Sequence, residues 1–192
     1  MLRLNTPREQ IYWFKIQMQR ELSGELMKID DIEYTIRTVK ATDLDQLFSM
    51  LVDLVKHEGT FNRFKLTRTR LEDELFGNNA DWHCLVVADS CEKLFGFCLY
   101  TFANINRAFN TSPMIQIDDL YVSPEVRNAK IGSNLIYQLA LIAKNKNIGR
   151  LNVWCVKDNV QGQNFYQKIG ADKIDFIDVY SIQVTNLLTL FE

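Results

Sequence analysis

The residues with the clearest chemical potential lie in one stretch, DDLYVSPEVRNAKIGSNL, which runs from Asp118 to Leu135. A strand pattern ends in this stretch, a turn follows, and a helical pattern begins near Ile131. Backbone amides at a helix N-terminus carry a partial positive charge and can hold a phosphate group. Arg127 adds a full positive charge beside them. The spacing is typical of a phosphate-binding loop, although many ordinary strand-to-helix turns look alike.

The cysteines and histidines indicate no metal chemistry. The four cysteines have no CxxC spacing and only two histidines are present, so we expect neither a zinc site nor a disulfide framework. Reduced thiols of this kind are typical of an intracellular protein, and we expect a cytoplasmic location.

Composition excludes two further classes of protein. The chain has 192 residues, of which 47% are hydrophobic and 24% charged, as in one globular domain. With 22 Lys+Arg against 24 Asp+Glu, the net charge of -2 argues against nucleic acid as a partner. No run of 18 apolar residues is present, so we expect no membrane-spanning segment.

The elements that must position this chemistry alternate between strand and helix patterns. The predicted order is strand, two helices, three antiparallel strands, helix, strand, helix and strand, which makes a mixed α/β domain. The predicted strands span 34–40, 83–88, 94–102, 114–122, 150–156 and 178–184. The predicted helices are one capped by Thr42 and Asp45, one that opens at 69–72 and ends at Gly77, and two more over 131–146 and 161–169.

The first residues form a separate feature. Apolar side chains recur every three or four positions between Pro7 and Met27, which predicts an amphipathic helix. We therefore divide the chain into an N-terminal helical extension, 1–33, and a domain spanning 34–192.

Five segments, in order, resemble the GCN5-related N-acetyltransferases (GNAT), and specifically the spermidine/spermine (diamine) N-acetyltransferase branch. The loop is similar to the family's Arg/Gln-x-x-Gly-x-Gly/Ala pyrophosphate motif. The matching segments are His83-Cys84-Leu85-Val86, Gly96-Phe97, Asp118-Asp119, Arg127 to Ser133, and Asn164-Phe165-Tyr166 with Gly170-Ala171.

The resemblance implies a GNAT fold, a mostly antiparallel sheet flanked by helices with an acetyl-CoA cleft between two splayed strands. It implies acetyl-CoA as co-substrate and no metal. Backbone groups of the strand before the loop would pair with the pantetheine arm, as an added strand does. The cofactor-binding residues carried over are Leu120, Tyr121, Val122, Arg127, Asn128, Ala129, Lys130, Ile131, Gly132, Ser133 and Asn159. Asn159 could equally be the N-cap of the helix that follows.

One position departs from the family pattern. Lys130 stands where the motif has its first glycine. A lysine fits there if its backbone angles are ordinary and its side chain turns away. If the site needs a bare Cα, acetyl-CoA affinity should be impaired.

The resemblance also implies two catalytic residues. Asp118 stands where the family has a carboxylate that removes the amine's proton, here through water, although it could instead be a strand-end residue that makes a structural hydrogen bond. Tyr166 stands where a tyrosine protonates the departing CoA thiolate. Adjacent strand residues face opposite sides, so Asp118 and Asp119 should share one direction only if a bulge intervenes.

The resemblance implies a small primary amine as acceptor, for which we expect His57, Glu58, Asp119 and Trp154 as binding residues. A diamine or polyamine is the first reading. Arg63, Lys65, Arg68 and Arg70 weaken it, because polycations prefer acidic walls. These cations either hold the carboxylate of a lysine-like, thialysine-type amino acid or form a solvated helix face. A third reading is a CoA-binding module without turnover. Family members are commonly homodimers, and the apolar segment 179–191 could contribute to one.

Overall fold

The sheet that carries the candidate site has six strands in a computed structural model, which describes residues 27–29, 32–104 and 113–184. The order is β1-β2-β3-β4-β5-β6, antiparallel except that β6 runs parallel to β5. The strands are β1 (Met27–Ile29), β2 (Ile32–Thr38), β3 (His83–Asp89), β4 (Leu94–Ala103), β5 (Met114–Val122) and β6 (Leu151–Val153). The helices are α1 (Leu44–His57), α2 (Arg68–Phe76), α3 (Ile131–Asn145) and α4 (Val160–Lys168).

Helices cover both faces of this sheet. Apolar side chains of α1 and α2 pack on one face together with Val86, Phe97, Leu99 and Tyr121. The buried stripe of α3 packs on the other face, against a cluster that includes Tyr100, Ile115 and Ile117. Mostly antiparallel strands with helices on both faces confirm the predicted fold class.

Most predicted elements are present, with some altered boundaries. The hairpin of β3 and β4, the strand β5 and the start of α3 agree with the sequence patterns. The strand predicted over 150–156 is shorter, because β6 pairs only as far as Val153. The strand predicted over 178–184 is wrong, since residues 177–183 have no regular structure.

The N-terminal prediction lies largely outside the described residues. The amphipathic helix was expected over Pro7–Met27, and only Met27 is described, in β1. Met27 pairs with Tyr34 of β2, so residues 27–29 belong to the sheet. None of the helices in the described ranges is long and apolar enough to cross a membrane.

The entry to α1 differs from the predicted capping box. A 3₁₀ turn at Ala41–Asp43 precedes the helix, and the Asp43 carboxylate accepts from the Lys40 backbone N–H at 2.7 Å. Arg37 donates to both Asp43 oxygens, at 2.7 and 3.0 Å. Burial would raise the pKa of Asp43, but the bonds from Arg37 and Lys40 outweigh it and hold the pKa below its usual range. Thr42 and Asp45 therefore do not cap the helix, and Asp43 instead fixes the turn before it through its bonds to Lys40 and Arg37.

A β-bulge in β5 lies at the center of the candidate site. Leu99 pairs with Asp119 and Tyr100 pairs with Ile117, so Asp118 is the extra residue between them. The packing shows the consequence of the bulge. Ile117 packs against α3 before the bulge, and the even-numbered Leu120 packs against α3 after it. An uninterrupted strand would have sent Leu120 to the opposite face.

The chain divides into two compact units, Met1–Asp158 and Asn159–Glu192. The first holds the sheet with α1, α2 and α3, and the second holds α4 and the residues that follow it.

Candidate active site

The bulge turns both aspartates of β5 toward the α1 and α2 face. The Asp118 carboxylate accepts a hydrogen bond from Thr101. Thr101 lies on this face because its neighbours in β4, Tyr100 and Phe102, pack on the other. Asp119 lines a cavity with residues of α1. The sequence allowed Asp118 and Asp119 to share one direction only if a bulge intervenes, and the structure has that bulge.

Burial makes both carboxylates unusually basic. It raises the pKa of Asp118 to about 6; the Thr101 hydrogen bond opposes the shift and Asp81 adds to it. Burial, then Asp118 and Glu58, raise the pKa of Asp119 to about 6. A carboxylate of this basicity accepts a proton more readily than an exposed one and is still largely ionised at neutral pH. Asp118 is therefore suited to act as a base.

Within the described residues, no strand pairs with the last part of β5 on its β6 side. Pairing between the two parallel strands ends at Ile117 and Val153. Residues 119–122 continue as strand and pair with β4, which leaves an open edge where the family resemblance implies splayed strands. Along this edge the Val122 carbonyl accepts from Arg127 Nε at 3.1 Å, so Arg127 is turned back toward β5.

The loop before α3 presents the helix N-terminus predicted to hold phosphate. Ile131 is buried and anchors the first turn, while Gly132 and Ser133 are half-buried. The first amides of any α-helix have no partner within the helix. The loop reaches this point through Asn128 and Lys130, which both have positive φ, 68° and 62°.

Lys130 therefore does not meet the condition of ordinary backbone angles under which a lysine fits this position without cost. Its φ of 62° and ψ of 8° are left-handed, the region a glycine enters freely. A side chain there costs about 1–2 kcal/mol. The chain has kept the glycine conformation of the motif while replacing the glycine.

We predict that Lys130→Gly is more stable than Lys130→Ala by about 1 kcal/mol, since glycine removes the strain and offsets its greater freedom in the unfolded chain. Urea unfolding measures the difference. The same pair of changes at Lys144, in the last turn of α3, should give the opposite order, with alanine more stable. The same order of stability for the glycine and alanine variants at both positions would contradict a strained Lys130.

A cavity of about 260 Å³ opens beside Asp119 on the α1 and α2 face. Its walls are mostly apolar or aromatic, and two cations join the lining. The lining residues are Leu51, Val55, Thr60, Arg63, Phe64, Lys65, Leu66, Trp82 and Asp119. A carboxylate and two cations around one apolar space suit a ligand that is itself charged at both ends.

The four basic residues noted in the sequence separate into two pairs. Arg68 donates to Asp45 at 2.6 Å and to Glu72 at 2.7 Å, and Arg70 donates to Glu74 at 3.1 Å. These two belong to the solvated outer surface of α2. Arg63 and Lys65 instead line the cavity.

The predicted acceptor residues lie at different places. Asp119 lines the cavity, and Glu58, at the end of α1, acts on the charge of Asp119. His57 is exposed, and Trp154 is exposed just after β6. Sequence reasoning missed Trp82, an aromatic residue directly before β3 whose placement depends on tertiary packing alone.

The second unit carries the two remaining candidates. Asn159 caps α4, and its side-chain oxygen accepts from the Gly162 N–H at 2.8 Å. A Cβ at Gly162 would lie 3.0 Å from the Asn159 side chain, so glycine allows this close cap. Tyr166 lies on α4 with its ring 5.2 Å from that of Phe165. The N-cap reading of Asn159 is thus confirmed.

The family follows from a comparison with known proteins. The model of the "Acetyltransferase (GNAT) family" matches residues 48–171, which include β3 to β6, most of α1 and all of α2, α3 and α4. The chain belongs to the GNAT acetyltransferase family, and its activity is that of an N-acetyltransferase.

Three individual proteins similar to this chain each share less than 30% sequence identity with it. A thialysine N-epsilon-acetyltransferase of Sus scrofa is 28% identical over 145 residues, covering 71% of this chain and 82% of that protein. A V. cholerae integron cassette protein has a similar structure, with a TM-score of 0.66, 23% identity, and 83% and 98% of the two chains covered. The aminoglycoside N-acetyltransferase AAC(6')-Iy in complex with CoA has a TM-score of 0.64 at 14% identity, with 82% and 99% covered.

Proposed function

We propose that this N-acetyltransferase moves the acetyl group of acetyl-CoA to the terminal amine of a small lysine-like amino acid. The observation that carries the proposal is the cavity, where Asp119 shares an apolar space with Arg63 and Lys65. A carboxylate attracts the ammonium group, the apolar walls accommodate the alkyl chain, and the cations attract the α-carboxylate. The 28% identical thialysine N-epsilon-acetyltransferase supports the same class of acceptor.

A diamine or polyamine is the second candidate, and the acidic residues of the site favour it. Asp118, Asp119, Glu58 and Asp81 influence one another electrostatically. Such a cluster attracts a ligand with two or more positive charges. The two cations of the cavity decide against it in our proposal, because they would repel the second ammonium group.

Asp118 and Tyr166 are the proposed catalytic residues. An alkyl amine with a pKa near 10.4 is neutral in about one molecule in 2,500 at pH 7, and only the neutral form attacks a thioester. Asp118, with its pKa of about 6, accepts the ammonium proton. Tyr166 donates a proton to the sulfur as the carbon–sulfur bond breaks.

The proposed acetyl-CoA residues fit their role in two places. The helix N-terminus at Ile131, Gly132 and Ser133, with Asn128, Ala129 and Lys130 before it, would hold the pyrophosphate. The open edge of β5 at Leu120, Tyr121 and Val122 would hold the pantetheine arm. Arg127, whose Nε donates to the Val122 carbonyl, stabilises this edge in our proposal, and Asn159 is a further proposed contact of acetyl-CoA. Acetyl-CoA supplies the activated acetyl group.

A matched pair of amines tests the acceptor. Lysine and cadaverine have the same alkyl chain and differ by the α-carboxylate, so free-thiol release is measured with both, alongside thialysine, putrescine and spermidine. We expect the amino acids to give the higher kcat/KM. A preference for cadaverine and spermidine would support the polyamine candidate. No release with any amine, with acetyl-CoA still raising Tm, would indicate a binding module without turnover.

We predict that Arg63→Gln raises KM for lysine about tenfold and leaves KM for cadaverine within twofold, because a charge-assisted hydrogen bond to the carboxylate is lost. Steady-state kinetics with both amines measure the change. Arg68→Gln is the matched control, since Arg68 bonds to Asp45 and Glu72 away from the cavity. Equal losses with the two amines would contradict carboxylate recognition by Arg63.

We also propose a cytoplasmic homodimer. All four cysteines are free thiols, which is typical of a reducing compartment. The apolar side chains Val179, Tyr180, Ile182 and Val184 are exposed and support a contribution of this segment to a dimer; residues 185–191 of the same predicted segment lie outside the described ranges.

A further inference from the structure

A row of polar side chains crosses the sheet beside Asp118, on the α1 and α2 face. Gln116 of β5 pairs in register with Thr101 of β4 on one side and with Asn152 of β6 on the other. The neighbours of each in its own strand pack on the α3 face, so these three point to the opposite one. Asp118 joins the row through its hydrogen bond from Thr101.

Two buried oxygen atoms in this row lack a partner. Within the described residues, neither Gln116 Oε1 nor Asp118 Oδ2 has a hydrogen-bond partner. Gln116 is only 5% exposed, and its Nε2 donates to the Ile117 carbonyl at 3.0 Å. That bond fixes the orientation of the amide, because a flipped amide would bring two acceptors together. Gln116 Oε1 must therefore accept a hydrogen bond from something else.

One water molecule between the two atoms would satisfy both. Gln116 and Asp118 are two positions apart on β5 and, through the bulge, lie on the same face of the sheet; a water that donates to two oxygens bridges roughly 4.5 Å. Both acceptors are buried, which makes leaving them without a donor costly. A water held in this way uses both of its hydrogens on the protein, and its lone pairs remain for a donor.

We propose that Gln116 Oε1 and Asp118 Oδ2 hold this water and that Gln116 orients it to carry the substrate's proton to Asp118. The inference rests on the proposed function. The ammonium N–H gives its proton to the water oxygen while the water O–H on the other side gives one to Asp118 Oδ2. The ammonium becomes a neutral amine, the carboxylate becomes a carboxylic acid, and the water is unchanged. Gln116 is a positioning residue, since it acts through the water.

The charged and titratable groups around Asp118 are compatible with this role. Asp119 in β5, Asp81 before β3 and Cys98 in β4 interact with Asp118, and Glu58 at the end of α1 interacts with Asp119. Burial raises the pKa of the Cys98 thiol, which keeps this group neutral. None of these groups is a cation that would compete with the substrate ammonium for Asp118.

The direct test is a crystal structure at a resolution that shows ordered water. We expect one water 2.6–3.2 Å from both Gln116 Oε1 and Asp118 Oδ2, the range of ordinary hydrogen bonds. The inference would be overturned if Gln116 Oε1 and Asp118 Oδ2 each accepted from another protein donor, or if no water lay between them. This result does not depend on turnover, so the proposed function can fail in the amine panel while the water site stands, and the reverse.

The kinetic test is a double-mutant cycle of Gln116→Met and Asp118→Asn. In the native background we expect Gln116→Met to lower kcat about tenfold at pH 7 with the KM for acetyl-CoA unchanged. In the Asp118→Asn background the loss should fall below twofold, because the water then has no base to serve. An additive loss would overturn the proposal.

Thr38→Val is the matched control. Thr38 Oγ1 is another buried oxygen without a partner in the described chain, and it lies on β2, away from β5. We expect this variant to leave kcat and its pH profile unchanged. A loss as large as that of Gln116→Met would assign the effect to disturbed packing and overturn the role of Gln116.

Discussion

Asp118→Asn should lower kcat/KM by about 10²–10⁴ at pH 7, the usual contribution of a positioned base. The loss should shrink about tenfold for each pH unit toward the pKa of the amine. Asparagine cannot accept the proton, so the variant depends on the fraction of amine that is already neutral, and this fraction grows tenfold per unit. The wild type should level off above pH 6, where Asp118 is ionised. The pH dependence of kcat/KM for the preferred amine measures both profiles.

The same substitution should raise the stability of the protein at pH 7. The pKa of Asp118 is about 6 in the fold against an ordinary 3.8. The folded state therefore binds more protons than the unfolded state between these values, and wild-type stability falls as pH rises through this window. Asparagine carries no charge, so its Tm should exceed that of the wild type at pH 7 and approach it below pH 4. A rate profile and Tm equal to those of the wild type would leave Asp118 a purely structural residue.

Tyr166→Phe should lower turnover at least about tenfold while acetyl-CoA affinity stays within a few-fold. The phenol is the proposed proton donor to the departing sulfur, and phenylalanine keeps the ring while removing the donor. Thiol release measures kcat, and the acetyl-CoA-induced shift in Tm measures binding.

Tyr137→Phe provides the control for this change. Tyr137 lies on α3 and is 60% exposed, so loss of its hydroxyl should affect neither measurement. Unchanged turnover in Tyr166→Phe would remove Tyr166 from catalysis. A large loss of acetyl-CoA affinity instead would assign its hydroxyl to binding.

The sequence by itself determined the features whose causes are local. Alternating apolar residues and the turn after them placed β5 at Met114–Val122, and the 3.6-residue period placed the start of α3 at Ile131. Asn159 was recognised as a cap because a cap is a contact with the next three residues. The family resemblance then supplied the fold, and the family model bears it out.

Tertiary structure alone decided how these elements form a site. The bulge that turns Asp118 and Asp119 to one face arises from the register between β4 and β5, and register depends on a partner strand distant in sequence. Which basic residues face the cavity depends on where neighbouring elements place their acidic side chains. Arg68 donates to Asp45 of α1, while Arg63 lines the cavity. The raised pKa of Asp118 comes from burial, and burial is a property of the assembled sheet and its helices rather than of any segment.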